Sequence, residues 1–247
     1  MRFGVTYFNR FPMGPTLLAE MAQSVEEAGF ESIWVSDHLA LQPGSPAYGQ
    51  GGSRSPRLIG PDEVHFADPL STLAYLVGTT RTVRLGTSVL VLPLRERWAT
   101  AKSLATIQKL SDGRLMLGVG AGWHRPEFQA IGSDYEARKQ RLVADAAFFR
   151  ELWGASGEWP LADGGTITSS PTPDSMPPIL AGVSSVSGAT EAAAWADGLI
   201  LSGPSAGHCM EAIRAGAAGS APADEFSVTA KAPEGYGIQP WHRSATR

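Results

Sequence analysis

The sequence predicts an α/β domain built around a parallel sheet. It opens as strand, helix, strand, the unit from which parallel sheets are made. The same alternation continues along most of the chain. With 43% hydrophobic and 18% charged residues in 247, the composition is that of a globular domain with a sizeable core.

Phe3 to Thr6 reads as a short strand. Thr16 to Ala28 places Leu17, Leu18, Met21, Ala22, Val25 and Ala28 at helical period, and Gly29 stops the helix. Ser32 to Val35 is the second strand. Residues 40–66 are rich in Gly, Pro, Ser and Arg and show no period, so they are expected to form a functional or mobile loop. Pro69 to Val77 then reads as helix, Val83 to Leu92 as strand and Thr100 to Leu110 as helix, closed by Asp112-Gly113. Arg114 to Val119 follows as strand and Tyr135 to Trp153 as a long helix. A short strand is expected at Thr166–Thr168 and a loop over Thr172–Pro178. Beyond these come a strand at Pro178–Ala181, a helix at Gly188–Trp195, a strand at Leu199–Leu201, a helix at His208–Ala217 and a last strand at Phe226–Ala230. The tally is about eight strands, which fits either an open doubly wound sheet or a closed barrel. One domain is expected over 1–247, with its core in 1–232 and a tail at 233–247. The residues after the last strand are too few for a good final helix.

Several classes are disfavoured by composition. A net charge of −4 without clustered basic residues gives no nucleic-acid footprint. No stretch approaches the ~20 apolar residues of a membrane span. The start lacks the apolar run of a signal peptide. The single Cys209 forms no internal disulfide and fits a reducing cytoplasm. His38, His65, His124, His208 and His242 show no metal-ligand spacing, so no metal is expected.

In parallel α/β folds the carboxyl ends of the strands make the site. The second strand ends in Ser36-Asp37-His38, a carboxylate beside an imidazole. That pair suits a cofactor contact and a proton carrier, or simply a capping Asp and an exposed His. The fourth strand ends in Gly118-Val119-Gly120-Ala121-Gly122-Trp123. Its alternate glycines would let a flat group approach the main chain, or would serve barrel packing alone. Another strand ends in Ala181-Gly182-Val183-Ser184-Ser185 before a helix, an anion site or a plain Ser cap. Trp34 and Trp123 sit at strand ends and are expected to line the cleft, with Glu127 close by. Arg95, Arg97, Arg54 and Arg57 would steer an anionic tail or lie solvated. Gly203-Pro204-Ser205-Ala206-Gly207 matches a hydrolase elbow, with Asp224 and His242 following, but so short a pattern this late in the chain is weak.

Taken together, Val83–Arg95, Leu110–Trp123 and Glu127–Gly132 resemble the bacterial luciferase-like superfamily, especially its deazaflavin-dependent branch. Gly29–Trp34 with Asp37-His38, Pro177–Gly182 and Ala196–Gly198 are similar to it as well. The resemblance covers about residues 1–232. It implies a (β/α)8 TIM barrel, with the last helix absent or the barrel closed by a partner subunit. It also implies a bound coenzyme F420, with FMN as the alternative, and a non-proline cis peptide at Ser88–Val89 in a bulge under the ring. Ser88, Val89, Val91, Ala121 and Gly122 match positions lining the cofactor, and Gly182, Val183 and Ser184 match its phosphate end. Asp37 matches a cofactor contact and His38 a proton-transfer residue. Trp34, Trp123 and Glu127 are assigned to substrate. Trp123 replaces an acidic proton donor of one sugar-phosphate dehydrogenase branch, which argues against that substrate.

The expected activity is hydride transfer between F420 and a small organic molecule. The rivals are an FMN-dependent monooxygenase and a non-catalytic flavin binder. A homodimer, a separate flavin or F420 reductase, and no nucleic-acid or membrane partner complete the expectation.

Overall fold

The computed structural model describes residues 3–6, 8–9, 14–41 and 66–201, together with the backbone of a strand at 227–230. The elements run β1 (Gly4–Val5), α1 (Pro15–Glu27), β2 (Ser32–Val35), α2 (Pro69–Thr79), β3 (Arg84–Thr87), β4 (Leu90–Val91), α3 (Arg97–Leu110) and β5 (Leu115–Gly120). There follow α4 (Arg125–Ile131), α5 (Arg138–Gly154), β6 (Glu158–Pro160), β7 (Thr166–Thr168), β8 (Ile179–Val183), α6 (Val186–Ala192), β9 (Gly198–Leu201) and β10 (Ser227–Ala230).

Eight strands form one parallel sheet in the order β1-β2-β3-β5-β8-β9-β10, with β4 also beside β5. It is the curled wall of an α/β barrel. Side chains alternate along each strand. Ile33, Val35, Leu85, Leu115, Leu117, Val119 and Ile179 join the large core under the helices. Trp34, Met116, Leu180 and Ile200 project the other way and meet inside the curl, with Val89 packed on them. Such a barrel interior is filled by side chains rather than open as a pore.

The short strand expected at Thr166–Thr168 is present; it pairs antiparallel with Glu158–Pro160 in a separate hairpin, outside the parallel sheet. Val83–Leu92 is not one continuous strand. Leu85 pairs with Leu115 and Gly86 with Met116, whereas Leu90 pairs with Val119. Four steps along one strand thus oppose three along the other, the signature of a bulge. An unbroken run of branched residues hides it. The short helix α4 was also missed, and α5 begins three residues later than the pattern suggested. Residues 42–65, the His208–Ala217 helix, the Gly203–Gly207 motif with Asp224 and His242, Arg54, Arg57 and the tail lie outside the described residues.

At the end opposite the bulge, Glu26 ties α1 to the start of β3. Its carboxylate accepts from the backbone N–H groups of Arg81 and Val83, from Thr82 N–H and from the Thr82 hydroxyl. Burial pushes its pKa up, but the Thr82, Val83 and Arg81 N–H bonds and the Thr82 hydroxyl outweigh it and bring the group down to about 2. A depressed carboxylate stabilises the fold above its unfolded pKa and loses that contribution as pH falls through the folded value. Wild-type stability is therefore expected to drop between pH ~4.5 and ~2. In Glu26→Gln that part of the acid limb should be absent from a melting-temperature profile. An unchanged profile would remove Glu26 from the account.

Candidate functional site

The bulge lies at the carboxyl end of the sheet, and two ionic anchors fix it. Asp37, just past β2, is 4% exposed. One of its oxygens accepts from Val91 N at 2.9 Å and Arg95 Nε at 3.0 Å, and the other from Arg95 Nη2 at 2.8 Å. The same guanidinium reaches Asp68 at 3.0 Å, the residue that caps α2 by accepting from Ser71 N. Burial works against the charge on Arg95. The hydrogen bonds and charge of Asp37, and then of Asp68, more than offset it and raise its pKa. Arg95 is thus a structural cation rather than a free one for an anionic tail. Arg97 lies with its guanidinium 4.6 Å from the Phe148 ring centre.

The Ser88–Val89 peptide is cis, at the position the resemblance implied. Ser88 N donates to Val35 O at 2.7 Å. Val89 leans into the barrel, where small neighbours make room for it. A Cβ on Gly120 would come within 2.5 Å of Val89 Cγ2, and one on Gly182 within 2.6 Å of Val89 Cγ1. Gly122 has φ +80°, and a Cβ there would meet Val91 Cγ1 at 2.6 Å. Gly120 and Gly122 therefore receive the side chains of Val89 and Val91, while Gly118 makes room for the Thr87 carbonyl and Ile200, so the packing alternative accounts for Gly118 and Gly120.

Along β2 and β9 every residue is buried. The sheet becomes accessible around the bulge, where Val89, Ala121, Gly122, Gly182 and Val183 are partly exposed and Ser184 is exposed. These residues form an uncharged floor, in which Ala121, Gly122 and Gly182 carry little or no side chain. Ser88 and Val91, expected to line a cofactor, are 2% and 5% exposed. They support the floor from beneath, Val91 by packing with Leu94 and Phe128. The small cap at the start of α6 is Ser185, whose hydroxyl accepts from Gly188 N at 3.1 Å.

His38 stands beside this floor. Its Nδ1 lies 3.1 Å from Glu127 Oε2. Phe66 packs at 5.0 Å and Trp123 at 5.8 Å between ring centroids. Trp123 is 53% exposed. Glu127 is buried in the first turn of α4, where a carboxylate is favoured by the helix dipole. Its Oε1 accepts from Leu39 N at 2.7 Å and Ala40 N at 3.3 Å. The imidazole's carboxylate neighbour is thus Glu127, whereas Asp37 is committed to Arg95 and Val91. Glu127, assigned to substrate on sequence, is turned inward.

Trp34 is corrected more firmly. It is 1% exposed inside the barrel, with Nε1 donating to Ser32 Oγ at 2.9 Å. Gly86 accommodates it, since a Cβ there would lie 2.4 Å from the indole. A strand end and a strand interior look alike when strands are four residues long. Phe66 carries no signal in the sequence, because its approach to His38 joins residues 28 positions apart with no periodic element to relate them.

Tyr135 holds the Trp123 turn, donating its hydroxyl to Trp123 O at 3.1 Å. Arg138 donates to Gly122 O at 3.2 Å and stacks 3.8 Å from the Tyr135 ring. Among the described residues no cluster of three or more His, Cys, Asp or Glu is placed to hold a metal, and no helix is long and apolar enough to cross a membrane.

The profile of the luciferase-like monooxygenase family matches residues 1–233. The chain belongs to that family. Among curated relatives, the F420-dependent hydroxymycolic acid dehydrogenase of Mycobacterium tuberculosis is 31% identical over 74% of this chain and 48% of its own. The F420-dependent glucose-6-phosphate dehydrogenase of Amycolatopsis mediterranei is 34% identical over 57% of this chain and 38% of its own. The chain thus spans about half the length, or less, of these relatives. A solved F420-dependent secondary alcohol dehydrogenase, in complex with an F420–acetone adduct, superposes with TM-score 0.70 at 21% identity, covering 93% of this chain and 68% of that one. The FMN complex of a type II Baeyer-Villiger monooxygenase from Pseudomonas putida gives 0.67 at 17%, covering 92% and 66%. The structural likenesses establish the fold as that of a luciferase-like barrel.

Proposed function

We propose that this family member is an oxidoreductase that holds coenzyme F420 at the barrel mouth and exchanges a hydride between it and a small organic substrate. The observation that carries the reading is the accessible, uncharged floor of Val89, Ala121, Gly122, Gly182 and Val183 beside a part-buried His38. Such a floor fits a flat heterocycle, and nothing on it competes for the ring with a charge. The family membership and the F420-dependent curated relatives support the same cofactor. When bound, the deazaflavin supplies the hydride acceptor or donor.

The chain's own residues do the rest. Val89, Ala121 and Gly122 seat the ring. Gly182, Val183 and Ser184 lie at the next strand end and take the phosphate side. Asp37 acts from below, by holding Arg95 and Val91 N–H and so the shape of the bulge. Trp123 and Phe66 wall the imidazole, reduce water around it and face the substrate. His38 carries the proton to or from the substrate oxygen, within hydrogen-bond reach once substrate is seated. Return of the cofactor to its starting state falls to a separate F420- or flavin-linked enzyme.

Titration with F420 and with FMN, followed by quenching of tryptophan emission, tests the reading. Saturable quenching by F420, with FMN weaker, is expected. Binding of FMN alone would move the protein to the oxygen-dependent monooxygenase reading, and binding of neither would end both. His38→Ala should keep cofactor affinity within a few-fold and lower turnover about 100-fold or more. Full activity in that variant would take the proton role away from His38.

A further inference from the structure

We propose that Glu127 is a positioning residue that fixes the tautomer of His38, placing the proton on Nδ1 and leaving Nε2 as the nitrogen that exchanges it. This rests on the proton role given to His38 above, and it adds a residue that acts through the imidazole rather than on substrate.

Hydrogen-bond capacity sets the tautomer. An ionised carboxylate accepts and cannot donate. Glu127 Oε1 is taken by the N–H groups of Leu39 and Ala40, and Oε2 faces His38 Nδ1. Nδ1 must therefore be the donor. In the neutral ring the other nitrogen then carries the lone pair. Among the described residues Nε2 makes no hydrogen bond to the protein, and the ring keeps 17% of its side chain accessible against 2% for Glu127. Among the described residues the groups facing the ring are Glu127, Phe66 and Trp123. Only Glu127 of these is charged, and it is the acceptor that faces Nδ1. The same carboxylate holds the main chain directly after His38, which fixes ring position and ring protonation together.

Glu127→Gln separates the two jobs. A glutamine has one acceptor oxygen. If that oxygen keeps the Leu39 and Ala40 N–H bonds, its NH2 points at Nδ1, which must then accept. The proton moves to Nε2 and the base is lost while the latch and the fold remain. The readout is the imidazole ¹⁵N spectrum of histidine-labelled full-length protein without cofactor, at a pH where the ring is neutral. His38 is assigned by comparison with His38→Gln. Wild type is expected to show Nδ1 protonated and Nε2 bare, and Glu127→Gln the reverse. Turnover in Glu127→Gln should fall about 100-fold or more with F420 affinity unchanged. A wild-type spectrum with the proton on Nε2 overturns the proposal without need of any variant, and so does a Glu127→Gln spectrum identical to wild type. If the tautomer reverses but turnover stays, the assignment of Glu127 stands and the proton role of His38 fails. Absence of F420 binding to wild type would instead strike the proposed function and leave the tautomer result untouched.

Discussion

Gly118→Ala should lower unfolding stability by about 3 kcal/mol or more, the upper end of what overpacking costs. The added Cβ would sit 2.0 Å from the carbonyl oxygen of Thr87 and 2.3 Å from Ile200 Cδ1. The side chain of Ile200 can turn away. The Thr87 carbonyl cannot, because it belongs to β3 at the point where the bulge begins. Thr87 also donates its hydroxyl to Gly118 O at 2.6 Å, so the two strands are held together where the methyl would part them. Urea denaturation measures the loss. Gly78→Ala is the control: it lies in α2 with nothing within 4 Å of the new Cβ, and it should be neutral or stabilising by about 0.5–1 kcal/mol. A Gly118→Ala midpoint equal to wild type would mean that β3 and β5 are not packed this closely.

Asp37→Ala comes next in size, with an expected loss of about 3 kcal/mol, the lower end of what breaking a buried ion pair costs, because Asp68 still reaches the guanidinium. It leaves the Arg95 guanidinium, 13% exposed, without its bidentate partner and the Val91 N–H without an acceptor. Cofactor affinity should fall with stability, since Val91 and the bulge lose their tether. An Asp37→Leu, Arg95→Met double variant is expected to regain much of the stability, because no charge is left buried. A single variant that melts with wild type would show that Asp37 does not hold the bulge.

The structure is legible in the sequence where a residue's own neighbours along the chain decide its state. Alternation of branched runs and helical periods located β2, β5, β8, β9 and β10. The Asp37-His38 pair and the Gly-rich end of β5 lie at the barrel mouth. What failed was set by partners far away. The bulge exists because the chain from β3 to β4 carries one residue more than β5 between paired positions, and a register is not written in either strand alone. Trp34 enters the barrel because Gly86 on the next strand leaves space for the indole. Glu127 reaches His38 across 89 residues, through a helix too short to show a period. Its one local signal was Pro126-Glu127 after His124, the pattern of a helix start with an acid in the first turn. The alternate glycines are legible in the sequence, but what they accommodate is not: Gly118 faces Thr87 and Ile200, Gly120 faces Val89, and Gly122 faces Val91.

The claim on which the rest depends is that a flat ring rests on the Val89–Ala121–Gly122 floor with His38 at its side. A crystal structure of the protein grown with F420 tests it most directly. The ring is expected against the Ser88–Val89 bulge, its phosphate beside Gly182–Ser184, and His38 Nε2 facing the space left for substrate. A ring bound elsewhere on the barrel, or one that meets Glu127 while His38 turns away, would contradict the account.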